Sequence, residues 1–259
     1  MQQEMKSRHQ RAVCAGWTSI RPTRVFALAP VLALFLALSF ALVHAPAAAQ
    51  SRYLAPGFEA LPAGAKAVLL PVDVELFSLS AGGVAEPKAD WTASAQTLMN
   101  QALKRRLSEL RLDFMAIDDK AADEFAEQVG LHAAVARSIN LHHGVAGVWA
   151  LPSKQGRLDW SFDAAMRPLQ EKLGARYGLF VWVRDSYASA ERKVAMVALA
   201  LLGVGLGGGA QVGYATLVDL QTGQVLWFNR LARGSGDLRE EKSALESIQV
   251  LMTGFPEVR

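Results

Sequence analysis

Arg184-Asp185-Ser186-Tyr187 is the stretch whose side chains could do chemistry. It directly follows residues 177–183 (YGLFVWV), an apolar run of strand length with Gly174 before it. Such a run reads as a buried central strand. The carboxyl ends of central strands are where α/β sheets place their sites. With a histidine brought in from elsewhere, Asp185 and Ser186 would supply a hydrolase with acid, nucleophile and base. The same residues also have an ordinary local use. Ser and Asp cap turns, and an arginine at a strand end pairs with a neighbouring carboxylate.

His132, His142 and His143 could be read as metal ligands. No carboxylate or thiol shares a recognised ligand spacing with them, and the adjacent His142 and His143 point apart on any regular element. Gly203-x-Gly205-x-x-Gly208 matches a dinucleotide fingerprint in form. That fingerprint should follow a strand and open a helix, with an acid about 20 residues on; here a helix precedes it and a strand follows. The patterns G-x-S-x-G, H-E-x-x-H, S-x-x-K and the P-loop are absent. The expectation is no assigned catalytic residue, no metal and no cofactor.

The elements that must position these residues are α/β. Residues 214–231 (YATLVDLQTGQVLWFNRL) read as a β-hairpin turning at Gln221-Thr222-Gly223, with apolar residues on both faces and hence a sheet covered on both sides. Residues 66–77 form the first strand, interrupted by Pro71, so its second half lies at an edge or after a bulge; Asp73 and Glu75 alternate with Val74 and Leu76. Residues 78–89 read as a loop, and Asp90 as the cap of a helix whose Ala95, Leu98, Met99, Ala102, Leu103, Leu107 and Leu110 recur at helical spacing. Its basic cluster, Lys104, Arg105, Arg106 and Arg111, reads as a solvated C-terminal face. A short strand follows at 112–117. Asp118-Asp119 then opens another helix, with Gly130 as its kink or break. Ser161 reads as the cap of a helix ending at Gly174, with Pro168 forcing a restart. Asp237 reads as the cap of a last helix.

Residues 194–213 (VAMVALALLGVGLGGGAQVG) contain no charge, and their six glycines all fall in the second half. They read as a helix over 191–202 followed by a glycine loop. A helix apolar all round is either buried or a partner or membrane surface. Leu199, Leu202 and Leu206, with Arg184, Asp185, Ser186 and Tyr187, are the candidate interaction surface.

The first 49 residues read as a targeting segment. Five bases against one acid precede an apolar run at 25–43, and Ala47-Ala48-Ala49 offers a small-residue cleavage site before Gln50. The leader is a signal peptide or, if uncleaved, a membrane anchor. Without it the chain holds 22 bases against 23 acids, so the basic balance of the whole sequence supports no nucleic-acid partner. Cys14, the only cysteine, lies in the leader, which leaves no disulfide afterwards. Residues 50–64 are an extended lead-in, and 65–259 a single α/β domain.

Three features together resemble the periplasmic α/β domain family of curli-secretion channel lipoproteins, penicillin-binding-protein activator lipoproteins and TolB N-terminal domains. They are Val68-Leu69-Leu70-Pro71 before a long helix, the step Gly174-Ala175-Arg176-Tyr177 leading to Val181-Trp182-Val183, and the hairpin LVDLQTGQVLW at 217–227. The chain lacks a lipobox cysteine, and 194–213 has no counterpart in the shared pattern. The resemblance implies a non-enzymatic periplasmic envelope protein that acts by binding another, unidentified envelope protein, as an assembly or secretion accessory. The alternatives are an envelope hydrolase at the end of the 177–183 strand and a membrane-inserted oligomer through 194–213. The fold expected is one mixed sheet with a C-terminal antiparallel hairpin and helices on both faces.

Overall fold

Pro71 divides the first apolar run into two short strands, β1 (Ala67–Leu69) and β2 (Asp73–Leu79). A proline has no N–H to give to a ladder, so pairing stops there and resumes two residues on. The structure, a computed structural model, describes residues 53–110, 112, 114–145 and 147–259. The leader lies outside them.

β3 (Ala85–Pro87), α1 (Ala89–Glu109), β4 (Phe114–Ala116), α2 (Asp119–Asp123), α3 (Ala126–Ile139) and α4 (Arg167–Leu173) come next. They are followed by β5 (Tyr177–Ala188), α5 (Ala190–Leu201), β6 (Gln211–Asp219), β7 (Val225–Arg233) and α6 (Glu241–Leu251). β1 and β2 lie end to end along one edge of β5, both parallel to it, and β6 runs antiparallel along the other edge. β7 pairs with β6, β4 with β1 and β3 with β2. The described residues therefore build one mixed sheet of seven strands that includes the expected hairpin.

Both faces of the sheet are covered. On one, Leu69, Leu76, Leu179, Val183, Leu217 and Trp227 pack with Met99 and Leu103 of α1 and with Ile248 and Leu251 of α6. On the other, Val68, Phe180, Val218 and Phe228 pack with Ala136 and Ile139 of α3 and with Leu169 of α4. Alternation along the strands sends neighbouring residues to opposite cores. α1 also closes the open flank of β2. Asn100 Oδ1 accepts from Val72 N–H at 3.0 Å, and Thr92 Oγ1 accepts from Leu76 N–H at 3.0 Å, so helix side chains stand in for a missing strand.

Several local expectations are corrected. Residues 78–89 are not all loop: β2 reaches Leu79, and β3 returns antiparallel on it, so β2 lies between β5 and β3. α1 starts after Lys88, and Asp90 sits in its first turn instead of capping it. Gly130 lies inside α3; the break comes at 124–125. Ser161 accepts from Asp163 N–H in a turn, and the α-helix begins only at Arg167, with Pro168 in its first turn where no N–H is missed. Asp237 belongs to the turn before α6, which begins at Glu241.

The hairpin turn depends on Gly223. Its φ is +73°, and a Cβ there would lie 2.1 Å from the carbonyl oxygen of Asp163. Phe162 N–H donates to Gly223 C=O at 2.8 Å, which locks this approach. Gly223→Ala is expected to cost ~2 kcal/mol or more. Gly82→Ala, at an ordinary φ in open space, is expected to stay within ~0.5 kcal/mol. Urea unfolding of the two variants checks the contrast.

Candidate functional site

The polar stretch expected at a strand end lies inside β5, because both flanks continue to pair. Arg184 to Ala188 face Glu75 to Leu79 of β2, and β6 pairs up to Asp185. Arg184 lies across the sheet face, 4.6 Å over the Trp182 ring, with ion pairs to Asp73 (2.8 Å) and Glu75 (3.2 Å). Ser186 Oγ exchanges bonds with Ala210, accepting from its N–H at 3.0 Å and donating to its C=O at 3.2 Å. These are the local roles of such residues, and they tie the strand to its neighbours.

Asp185 is 3% exposed and receives three donors: Ser186 N–H (2.8 Å), Gln211 Nε2 (2.6 Å) and the Tyr187 hydroxyl (2.5 Å). Burial raises its pKa, against the pull of those donors. The far end of Gln211 accepts from Arg233 Nε (2.8 Å) and Ser247 Oγ (2.9 Å). Arg233 also reaches Ser247 Oγ at 2.6 Å. One polar chain thus joins β5, β6, β7 and α6. No described histidine bonds to Ser186 or Asp185. His132 is buried between strand and helix, 2.9 Å from Thr216 Oγ1 and stacked on Phe180 at 4.8 Å; burial lowers its pKa to about 3 and keeps it neutral. Among the described residues, no three His, Cys, Asp or Glu side chains are placed to hold a metal ion.

Beyond β5 the surface opens into a cleft of about 640 Å³ between the start of α1, the start of α5 and residues 236–239. Tyr187 forms part of its wall and also accepts from Leu238 N–H at 2.7 Å. Burial and the neighbouring Asp185 raise its pKa. Arg239 lies over both Trp91 (4.3 Å) and Tyr187 (4.8 Å), oriented by Asp237 at 2.8 Å. The Arg239 guanidinium holds the Asp237 carboxyl below the usual carboxylate range. Lys88, Lys193 and Met196 complete the residues that matter here.

α5 is fixed at its root and free at its tip. Ser189 caps it by accepting from Arg192 N–H at 3.2 Å. The buried Arg192 guanidinium reaches Gly207 C=O (2.9 Å) and Ser80 C=O (3.2 Å), pinning helix, glycine return and β2–β3 turn together. At Gly209 a Cβ would collide with the Ser186 carbonyl, so the return can pass β5 only as glycine. Of the residues singled out from sequence, Leu202 is exposed, whereas Leu199 and Leu206 are half-buried. Val194, Val197, Leu201 and Val204 are the exposed apolar side chains that the sequence reading missed. An all-apolar helix gives no signal of which face is packed. Trp91, Lys193 and Arg239 were also missed, being far apart in the chain.

Two predictions follow from these buried groups. Asp185→Asn would set an amide NH₂ against the donors it now receives, and is expected to destabilise by ~1–3 kcal/mol in urea unfolding. For His132, the folded pKa lies below the unfolded value, so its stabilising effect is present above about 6.5 and lost as pH falls towards about 3. Between about pH 7.5 and 5 the loss from this group amounts to about 2 kcal/mol, because the unfolded chain takes up a proton that the buried ring refuses. Stability of His132→Gln is expected to fall less over that interval, as measured by thermal unfolding at both pH values.

No protein-family model matches the sequence, and no curated protein does. Among solved structures the chain is similar to the PelC dodecamer from Paraburkholderia phytofirmans, at 14% identity over 78% of this chain and 94% of that one, with a TM-score of 0.37. It is similar to lipoprotein GNA1162 from Neisseria meningitidis at 13% identity, over 66% of this chain and 81% of that one, with a TM-score of 0.29. It is also similar to the LpoB C-terminal domain from Salmonella enterica at 13% identity, over 69% and 87% of the two chains, with a TM-score of 0.28.

Proposed function

We propose that the protein is a non-enzymatic envelope protein that docks a partner protein at the cleft beyond β5. The observation that carries this reading is Arg239 lying over Trp91 and Tyr187 at the cleft wall. Tryptophan, tyrosine and arginine are the side chains that dominate protein-binding energy. Here they are already positioned, since Tyr187 is held by Asp185 and Leu238 and Arg239 by Asp237. A partner meeting a preorganised surface loses less entropy on binding. The leader read in residues 1–49 supports a periplasmic place of action. The hydrolase reading draws no support from Ser186, whose hydroxyl is committed to the Ala210 backbone. The membrane-inserted oligomer would need a spanning element, and no described helix is long and apolar enough to cross a membrane.

A photo-crosslinking residue at the exposed Lys193 position tests the proposal in cells. A discrete adduct with one envelope protein is expected. Trp91→Ala combined with Arg239→Ala should reduce it at least ~30-fold, the effect of losing a hot spot of about 2 kcal/mol, with an unchanged circular dichroism spectrum. No adduct, or an adduct indifferent to the double variant, overturns the assignment.

A further inference from the structure

Asp185 stands at the inner end of a hydrogen-bond chain whose outer end is the cleft wall. Its Oδ1 accepts from Ser186 N–H at 2.8 Å, and its Oδ2 accepts from Gln211 Nε2 at 2.6 Å and from the Tyr187 hydroxyl at 2.5 Å. Every contact arrives as a donor, so a proton placed on either oxygen would meet another proton. The negative charge therefore sets the direction of the chain. Tyr187 gives its proton inward, and its oxygen is left to accept from Leu238 N–H at 2.7 Å.

Of the three donors, one can turn round. Ser186 N–H belongs to the backbone of a paired strand. A flip of the Gln211 amide would set its NH₂ against Arg233 Nε, which donates to Oε1 at 2.8 Å. The Tyr187 O–H has no such constraint, because it rotates about its own C–O bond. An acceptor is also at hand. The Asp237 carboxyl, held below the usual carboxylate range first by Arg239, is held there in part by the Tyr187 hydroxyl.

The surrounding charges leave Asp185 free to take up a proton. Among the described residues no lysine or arginine bonds to its carboxylate, and Asp237 repels it. Arg233 of β7 is turned to Gln211, Ser247 and Glu246, and Arg239 to Asp237. Lys88, Glu191 and Lys193 line the cleft itself. Burial favours the neutral acid, so Asp185 protonates above the ordinary carboxylate range. The fold then binds this proton more readily than the unfolded chain does. Acid does not unfold the protein through this group; it reverses the chain instead.

We infer that Asp185 is an acid-sensitive latch on the cleft wall. When it takes a proton from solvent, the acid O–H donates to the Tyr187 oxygen, and the Tyr187 proton turns out to Asp237. The oxygen that served Leu238 N–H alone is then shared with a second donor, and the 236–239 segment that carries Arg239 loosens. The consequence for docking rests on the reading of the cleft given above; the latch itself does not.

Amide hydrogen exchange on the full chain, read by mass spectrometry as protection factors at about pH 7.5 and 5, tests the latch without a partner. Leu238 protection is expected to fall about 3–10-fold in acid, the factor that one hydrogen bond is worth. Asp185→Asn, whose amide donates to Tyr187 at any pH, is expected to show the acid level at both. Tyr187→Phe keeps the ring and removes the relay, so its Leu238 protection is expected to be low and equal at both pH values. Unchanged protection in the wild type overturns the inference. A fall of the same size in Tyr187→Phe also overturns it, and assigns the change to another titrating group. An exchange difference found without any Lys193 adduct supports the latch and overturns the docking reading alone.

Discussion

β5 is bonded along both edges, and everything else is arranged around that fact. It pairs with β1 over 177–179 and β2 over 182–188 on one side, and with β6 over 177–185 on the other. A strand so enclosed must be apolar on both faces or satisfy its polar groups inside the fold. The first half takes the apolar route. The second half takes the other, through Arg184 on Asp73 and Glu75, Asp185 on Gln211 and Tyr187, and Ser186 on Ala210. Asp73 and Glu75 thus act as counter-charges for the neighbouring strand. Arg184, Asp73 and Glu75 stay partly exposed, so their ion pairs are worth little; the buried Asp185 is the one that depends on its donors.

The opposite end of β5 is held by a second polar clasp. Asp219 accepts from Gln221 and Thr222 N–H through one oxygen, shaping the turn, and from Arg176 through the other, at 3.0 and 3.1 Å. Bonding to Asp219 raises the Arg176 pKa further still. The step before β5 and the turn of the hairpin, two of the motifs that carry the family resemblance, are therefore one device in space. Each side of the clasp needs the other, which gives two distant, individually weak motifs a common physical cause.

What could be read from the sequence was what local chemistry decides. Gly223 and its polar neighbours announced the hairpin, Pro71 the strand break, and the spacing of Met99, Leu103 and Leu107 the buried face of α1. What escaped was decided by tertiary partners. Asp185 looked like a strand terminator because the donors to its carboxylate, Gln211 and Tyr187, reach it only in the fold. Asp90 and Asp237 looked like caps because nothing local distinguishes a cap from a first-turn or pre-helix acid. The cleft was invisible because Trp91, Lys193 and Arg239 converge only through the sheet. α5 was placed correctly in the chain, but its exposure could not be read from an apolar sequence.

The cleft wall and the root of α5 are built into the same end of the sheet. The cleft wall is continuous with the core: Leu238 binds Tyr187, Tyr187 binds Asp185, and Asp185 binds Gln211, whose other end meets α6 through Ser247. Moving that wall means breaking buried hydrogen bonds in a low-dielectric interior, where each is strong. α5 leaves the same wall and is tied back to it: the Arg192 guanidinium holds Gly207 C=O and Ser80 C=O, and Ser186 Oγ holds both backbone groups of Ala210. Beyond Arg192 the outward side chains Val194, Val197 and Leu201 are left exposed.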